Sequence, residues 1–265
     1  MKIKQIVSAL ERFAPLPLQD GFDNAGLQIG LTEAEATGAL LCLDVTEAVL
    51  DEAIALGYNL VISHHPLIFK GYKSITGKDY VERCILKAIK NDIVIYSAHT
   101  NLDNAYGGVN YKIAEKIGLK NLQVLEPKEN SLQDDLTQAG AGMVGELDEP
   151  ETELEFLKRI KKTFEVGCVR HNRLTGREIQ KVSLCGGAGA FLLPQAIRAG
   201  ADVFITGEIK YHDYFGHEGD ILMAEIGHYE SEQYTKEIFY SIIRDLFPNF
   251  ALQSSKINTN PIKYL

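Results

Sequence analysis

The feature that most constrains the fold of this chain is an internal repeat. Residues 41–65 and residues 184–208 align at one constant offset without a gap, and each segment has a strand–helix–strand pattern. Buried segments of this kind share a composition bias, so a chance match is the alternative. The gap-free register favours one β-α-β element used twice and therefore two similar α/β lobes. The matching pairs are Leu41 with Leu184, Cys42 with Cys185, Ala53 with Ala196, Ile54 with Ile197, Gly57 with Gly200 and Ile62 with Ile205.

The order of the predicted elements indicates an α/β protein with a parallel sheet. Short apolar runs alternate with helical patterns, as in a series of β-α-β units. The first lobe is predicted over residues 1–127 and the second over residues 139–265, with a C-terminal helix that can pack back on the first lobe. Residues 128–138 are polar and lack periodicity, so they are the predicted linker. Helices are predicted over residues 47–56, with Thr46 as the N-cap, and over residues 80–90. One long helix is predicted over residues 228–246.

Composition excludes several classes of protein. The 265 residues are 45% hydrophobic and 24% charged, and the formal net charge of −9 argues against whole-surface affinity for nucleic acid or an anionic membrane. No apolar run is long enough to cross a bilayer, and the first residues lack a signal-peptide core. The four cysteines show no CxxC pairing, which is typical of reduced thiols. We expect a cytoplasmic protein.

Two adjacent histidines follow the second strand of the first repeat. The strand ends near Ile62, and His64, His65 and Pro66 come next. Pro66 biases His65 towards an extended backbone, in which successive side chains point to opposite sides. Two diverging imidazoles suit two metal ions, whereas the alternative is a polar turn after a strand.

Three further candidate ligands follow the third strand of each predicted lobe. Asp103 comes after the strand at 93–96, and His228 comes after the strand at 221–225. Glu232 is four residues beyond His228, which puts both side chains on one face of a helix. An ordinary surface pair is the alternative, since glutamate also stabilises a helix N-terminus. Because crevices in open α/β sheets lie outside the carboxyl ends of the strands, we expect these residues to line a cleft.

Taken together, these candidates exceed the three protein ligands that a catalytic zinc usually has. Mixed imidazole and carboxylate ligands suit two divalent ions about 3.5–4 Å apart with one bridging carboxylate. Zn, Fe, Mn and Ni all accept such a set. The sequence therefore predicts two divalent ions per chain, in a cleft between the lobes. The predicted ligands are His64, His65, Asp103, His228 and Glu232.

Other polar residues near these strand ends are candidates for catalysis. His99 is a candidate general acid or base. Alternatively, it donates a hydrogen bond to a metal ligand or is an ordinary loop histidine. Glu208, Lys210 and His212 are candidates for holding or protonating substrate, with a charged loop as the alternative. The glycine-rich turn at 185–189 can cradle a phosphate. It lacks the GxGxxG spacing and the P-loop lysine, so tight packing of a strand on a helix is the favoured interpretation.

Eight segments of the chain together resemble one known family. They are Leu10–Glu11, Ala14–Pro15, Asp23–Gly30, Leu43–Thr46, Ser63–Pro66, Ala98–Asp103, Thr206–Glu208 and Gly227–Glu232. The combination of His-His-Pro with Gly-His-Tyr-Glu-Ser-Glu is specific, and the similarity runs from end to end. The family is that of the GTP cyclohydrolase 1 type 2 homologues, also called the NGG-one-interacting-factor-three-like family.

This resemblance implies a dinuclear metal centre in a cleft between two similar α/β lobes. It implies the same five ligands, with Glu232 as the bridge, and a ring-shaped homohexamer. Some bacterial members carry a domain inserted in mid-chain. The chain has only the short stretch at 128–138 there, which predicts no insert.

Two functions of different classes follow from these features. The first is a metal-dependent hydrolase acting on a nucleotide-like small molecule. With GTP, hydroxide would attack the imidazole ring carbon of the purine and formate would leave, with His99 or Glu208 moving protons. The second is a non-enzymatic metal-binding ring that regulates or scaffolds a protein or nucleic-acid partner. A basic inner wall of the ring would favour the second function, and an acidic wall would exclude its nucleic-acid form. The sequence favours the hydrolase and selects neither the substrate nor the metal.

Overall fold

The computed structural model describes residues 1–128, 139–217 and 219–265, so the predicted linker at 128–138 lies outside the described residues except for Lys128. The helices in the described residues are α1 (Ile3–Phe13), α2 (Glu47–Leu56), α3 (Tyr80–Lys90), α4 (Thr100–Asp103), α5 (Val109–Ile117), α6 (Glu153–Thr163), α7 (Leu193–Arg198), α8 (His228–Glu232) and α9 (Thr235–Leu246). None of these described helices has the length and apolar character needed to cross a bilayer. The strands are β1 (Gly26–Ile29), β2 (Ala39–Cys42), β3 (Leu60–Ser63), β4 (Val94–Ser97), β5 (Lys120–Pro127), β6 (Gly140–Thr152), β7 (Arg170–His171), β8 (Glu178–Cys185), β9 (Val203–Thr206), β10 (Leu222–Glu225) and β11 (Leu252–Ser254).

The chain forms two compact units, and each is built from two separate stretches. Unit 1 comprises Met1–Leu102 and Thr235–Pro261, and unit 2 comprises Asp103–Tyr234 and Ile262–Leu265. These boundaries differ from those predicted for the two lobes. The difference arises because α9 packs on α1 and β11 pairs with β2, which joins a late part of the chain to unit 1.

Unit 1 contains a five-stranded sheet in the order β1-β4-β3-β2-β11. The last four strands in that order are mutually parallel, and β1 is antiparallel to β4. Every residue of β2, β3 and β4 is buried, as is typical of central strands in a parallel sheet. Because parallel strands end at the same edge, Asp44, His64 and His99 all lie just beyond the carboxyl ends of neighbouring strands.

The core of unit 1 lies where α2 and α3 pack on this sheet. Thr46 caps α2 by accepting a hydrogen bond from the backbone N–H of Val49 at 3.3 Å, as its N-cap position predicts. Asp79 caps α3 in the same way, with the N–H of Glu82 at 2.9 Å. The apolar faces of the two helices and of the strands then share one buried cluster. Its central members are Leu40, Val49, Leu50, Ala53, Val61, Cys84, Ile85, Ala88 and Ile95.

Unit 2 contains a six-stranded mixed sheet in the order β5-β6-β8-β9-β10-β7. Strands β8, β9 and β10 are parallel, whereas β5, β6 and β7 run antiparallel to their neighbours. Leu192, Phe204 and Met223 are central members of its buried cluster. A glycine follows each of the three parallel strands within two residues: Gly186 after β8, Gly207 after β9 and Gly227 after β10. This edge of the sheet therefore carries glycine turns.

The two sequence repeats form β-α-β units with the same strand register. Leu41 pairs with Ile62 between β2 and β3, and Leu184 pairs with Ile205 between β8 and β9. The helix in the second unit is shorter, since a 3₁₀ turn occupies the three residues before α7. The glycines that follow α2 and α7 have φ of 68° and 69°, a left-handed conformation that costs glycine little. The structure is thus consistent with one fold element used twice.

The long helix predicted over 228–246 is wrong, because two helices occupy this segment. A turn at Gln233 and Tyr234 separates α8 from α9. The Gln233 side chain donates a hydrogen bond to the backbone carbonyl of Phe164 at 3.0 Å, and the Tyr234 hydroxyl donates to that of Thr163 at 2.8 Å. Both carbonyls lie at the C-terminal end of α6, where the helix itself provides no partners. These bonds fix the turn.

Candidate metal centre

His64 is fully buried and directly follows β3 in unit 1. Its Nδ1 lies 2.9 Å from the backbone carbonyl oxygen of Ala98. A carbonyl oxygen can only accept a hydrogen bond, so Nδ1 carries the proton and Nε2 carries the lone pair. His64 therefore offers Nε2 as a metal ligand.

His65 is oriented by Asp44, which lies beyond the end of the neighbouring strand β2. Nδ1 of His65 is 2.7 Å from Oδ1 of Asp44, and Oδ2 of Asp44 accepts a hydrogen bond from the Thr259 hydroxyl at 2.5 Å. A carboxylate on one ring nitrogen fixes the ring and raises the basicity of the other nitrogen. Neither Asp44 nor Thr259 was predicted as a site residue. The sequence feature that could have identified Asp44 is its position just after a strand that neighbours β3.

His99 is held by Asp23, in the loop before β1. Nδ1 of His99 lies 2.7 Å from Oδ1 of Asp23, and Oδ2 accepts a hydrogen bond from the backbone N–H of Thr100 at 3.0 Å. Burial by itself raises the pKa of Asp23, but hydrogen bonds from His99 and Thr100 outweigh burial and lower that pKa to about 2. Asp23 is therefore ionised at neutral pH and fixes the tautomer of His99.

These three histidines, His64, His65 and His99, form a convergent group within unit 1. Each offers one ring nitrogen, and the three nitrogens lie within 4.8 Å of one another. The prediction that His64 and His65 diverge is wrong, because their ring centroids are only 5.0 Å apart. The backbone is not extended here: the N–H groups of both residues point to the carbonyl of Leu43, at 3.2 and 3.0 Å. His99, predicted as an acid or base, thus also has a position suited to a ligand.

In unit 2, His228 lies between two glutamates. Its Nδ1 is 2.8 Å from Oε1 of Glu208, and its Nε2 is 3.2 Å from Oε2 of Glu232. Glu208 reaches the ring from the end of β9, the strand beside β10. Two ligand atoms that each lie about 2.1 Å from one ion are about 3.2 Å apart when the angle at the ion is about 100°. The pair formed by Nε2 of His228 and Oε2 of Glu232 therefore fits a shared divalent ion.

Asp103 and Glu232 also come together in unit 2. Their carboxylates offer ligand oxygens within 4.8 Å of each other, and Glu232 is only 3% exposed. The buried Asn110 positions Asp103: its side-chain amide donates to the backbone carbonyl of Asp103 at 3.0 Å, and its Oδ1 accepts from the N–H of Gly186 at 3.0 Å. Asn110 was not predicted as a site residue, since it lies inside an ordinary amphipathic helix. It links Asp103 to the turn after β8.

The glycine turns after β8 and β9 make room for α8. Gly187 has φ of 60°, and a Cβ there would collide with Oε1 of Glu232. A Cβ on Gly207 would come within 2.9 Å of both the Cα of His228 and the Oγ of Ser231. The Ser231 hydroxyl in turn accepts a hydrogen bond from the N–H of Gly187 at 3.0 Å. These glycines therefore serve the close packing of a helix on strand ends, which is the interpretation favoured from the sequence over a phosphate cradle.

His212 has surroundings unlike those of the other predicted site residues. It is exposed in a 3₁₀ turn, Tyr211–Tyr214. Its ring centroid lies 5.3 Å from that of Tyr211 and 6.2 Å from that of Phe215. Lys210, at the start of the same turn, is also exposed. A role of His212 in holding or protonating substrate stays a prediction.

The chain matches one protein family along almost its whole length. The model of the family described as Duf34/NIF3 (NGG1p interacting factor 3) matches residues 1–261. A relative from Clostridium perfringens, named GTP cyclohydrolase 1 type 2 homolog, is 37% identical over 235 residues, which cover 88% of this chain and 87% of the relative. A relative of the same name from Lactococcus lactis is 34% identical over 271 aligned positions and covers 98% of each chain.

A solved structure agrees with this assignment. The crystal structure of Staphylococcus aureus hypothetical protein SA1388 has a TM-score of 0.91 to this chain at 31% identity, covering 100% of this chain and 99% of that one. The resemblance found in the sequence motifs is confirmed. The chain belongs to the Duf34/NIF3 (NGG1p interacting factor 3) family.

Proposed function

We propose that this chain binds divalent metal ions and acts as a metal-dependent hydrolase on a nucleotide-like substrate. Support comes from relatives named GTP cyclohydrolase 1 type 2 homolog and from convergent ligand atoms within each unit. Two ions per chain, a bridging role of Glu232 and a ring-shaped homohexamer stay predictions from the sequence and the resemblance. The proposed ligands are His64, His65, Asp103, His228 and Glu232.

Four imidazoles share one orientation, and this observation carries the proposal. Nδ1 of His64, His65, His99 and His228 faces an oxygen acceptor at 2.7 to 2.9 Å, a carbonyl in the first case and a carboxylate in the others. With Nδ1 protonated, each ring presents Nε2 as its lone-pair nitrogen. Histidines that bind metals almost always donate their other ring N–H to such a partner. The donor set therefore fits divalent metal.

The residues of the chain have distinct roles in this proposal. A bound divalent ion in such a site lowers the pKa of a water molecule and polarises the substrate. Asp44 and Glu208 hold the rings of His65 and His228 in the orientation that ligation needs. His99 is not one of the five proposed ligands: the ionised Asp23 holds it by Nδ1, so its Nε2 is left to take and return a proton. General acid–base catalysis of this kind contributes roughly 10²–10⁴-fold.

Metal analysis tests the binding part of the proposal. Protein purified without added metal, and protein dialysed against Zn or Mn, should hold about two divalent ions per chain. His64→Ala and His228→Ala should each lose at least one ion. His171→Ala is a matched control, because it removes an exposed imidazole on β7 and should leave the metal content unchanged. Wild-type metal content in both ligand variants would refute the assignment.

Turnover tests the hydrolytic part. Formate release from GTP and hydrolysis of a generic phosphoester are measured separately, each with saturating Zn or Mn. Glu232→Gln should abolish turnover, because loss of the ligand's charge weakens the activation of the bound water. Each increase of about 1.4 kcal/mol in the activation barrier lowers the rate tenfold. His99→Ala should reduce turnover by roughly 10²–10⁴-fold. Equal activity in Glu232→Gln and wild type would contradict the proposal, and an inactive metal-loaded wild type would favour a metal-binding ring.

A further inference from the structure

Two exposed phenylalanines stand beside the three-histidine group of unit 1. Phe22 is 68% exposed and Phe69 is 46% exposed. Their ring centroids are 6.4 Å apart with an interplanar angle of 43°. The ring of Phe69 also meets the ring of His99 edge to face, at 6.2 Å and 78°. Exposed apolar rings beside a group of convergent polar atoms are typical of a ligand-binding surface.

Side-chain hydrogen bonds hold the backbone of Ile68, the residue before Phe69. The N–H of Ile68 donates to Oε1 of Gln28 at 3.1 Å, and the carbonyl of Ile68 accepts from the Asn24 side chain at 2.6 Å. Phe69 therefore follows a residue whose backbone N–H and carbonyl are both hydrogen-bonded. Asn24 belongs to the same loop as Phe22, and that loop also contains the carboxylate that holds His99. An ordered backbone beside the rings reduces the conformational entropy that is lost when a ligand binds.

We propose that Phe22 and Phe69 form an aromatic platform that binds the flat heteroaromatic ring of the substrate, a purine base, beside the three-histidine group. The inference deepens the proposed function, because it names the part of a nucleotide-like substrate that this site recognises. Bases stack on aromatic side chains through their π-faces, with offset or edge-to-face geometry. Because Phe69 contacts His99, a base bound on the platform would lie next to the imidazole that is proposed to move protons. This position suits the ring of a small-molecule substrate better than a macromolecule.

A single-tryptophan variant tests the platform directly. The chain contains no tryptophan, so Phe69→Trp introduces one fluorophore at the proposed stacking position. GMP titrated into Zn-loaded Phe69→Trp protein should quench the emission with saturation. Ribose 5-phosphate, which has the phosphate and lacks the base, should leave the emission unchanged. Phe22→Ala in the same background should weaken GMP binding about 10-fold, a typical loss for one stacking contact.

A matched control uses Ile89, which is 57% exposed near the end of α3. That helix ends before the amino end of β4, so Ile89 lies at the sheet edge opposite to the histidines. Ile89→Ala in the Phe69→Trp background should leave GMP binding unchanged. Calorimetry on wild type and Phe69→Ala repeats the comparison without a new ring, and the metal content of both should be the same.

Several results would overturn the platform. These are quenching by ribose 5-phosphate equal to that by GMP, unchanged GMP affinity in both Phe22→Ala and Phe69→Ala, or no GMP binding to the Zn-loaded wild type. Emission that changes with protein concentration and is insensitive to GMP would place a second copy of the chain on these rings, which also overturns it. Base-dependent quenching in a protein that holds no Zn and has no turnover would instead remove the proposed hydrolase and leave the platform standing.

Discussion

Replacing Gly187 by alanine tests whether the turn after β8 positions Glu232 as a ligand. Gly187 has φ of 60°, where an alanine costs about 1–2 kcal/mol. The new methyl group would also lie only 2.4 Å from Oε1 of Glu232, which is a collision. Gly200→Ala is the matched control, since Gly200 has φ of 69° and nothing lies within 4 Å of an added Cβ. Both variants carry the backbone cost, and only Gly187→Ala displaces the carboxylate.

The two costs have different magnitudes and different readouts. The shared backbone cost should lower the Tm of the metal-free protein by roughly 2–8 °C, at about 2–4 °C per kcal/mol for a chain near this size. Displacing a ligand should cost at least as much affinity as losing a residue that orients one, which is about 10- to 100-fold. Gly187→Ala should therefore bind Zn at least about 10-fold more weakly than Gly200→Ala.

Two measurements separate these costs. Competition with a chromophoric chelator gives the Zn affinity, and thermal unfolding of the metal-free proteins gives the backbone cost. Wild-type Zn affinity in Gly187→Ala would refute the role of the turn. An equal loss of affinity in both variants would assign the effect to backbone strain and exclude the collision with Glu232.

Three further predictions concern residues that support the fold and the site. Asp44→Ala should weaken Zn binding about 10- to 100-fold in the same chelator competition, because His65 loses the acceptor for its Nδ1–H; unchanged affinity would contradict this. Asn110→Ala should lower the free energy of unfolding by about 1–3 kcal/mol in a denaturant titration, since buried polar groups lose their partners, and a loss near zero would contradict its positioning role. Glu82, which is fully buried, has a pKa lowered from 4.5 to about 2, mainly by the backbone N–H of Thr76. Its contribution to stability is therefore complete above pH 4.5 and lost as the pH falls to about 2, so the difference in unfolding free energy between wild type and Glu82→Gln should shrink over that range. A difference that stays constant from pH 7 to pH 2 would refute this.

Elements with strong local signals could be predicted closely from the sequence. The bounds of α2 and α3 agree with prediction, because each helix has a capping side chain at its start and a regular apolar face. The interruption between α8 and α9 could not be predicted. It depends on hydrogen bonds from Gln233 and Tyr234 to the end of α6, about 70 residues earlier in the chain.

The candidate site divides in the same way. The four-residue spacing of His228 and Glu232 is local, and the structure brings their side chains within 3.2 Å. The partners of the ring nitrogens are remote in sequence: Asp44 is 21 residues from His65, and Asp23 is 76 residues from His99. The order of the strands in the sheet decides which residues become neighbours at its edge, and short sequence motifs do not give that order.

The two sequence repeats carry different residues at the ends of their second strands. Gly207 and Glu208 of the second repeat occupy the positions of His64 and His65 in the first. A side chain at position 207 would meet the backbone of His228, so this position has no room for a histidine like His64. One copy of the element supplies imidazoles, while the other accommodates and orients an imidazole that arrives from the next strand. Copying the first repeat onto the second by Gly207→His would therefore force His228 away from Glu208 and Glu232, so the asymmetry between the copies is a condition for the packing of α8 on the second copy.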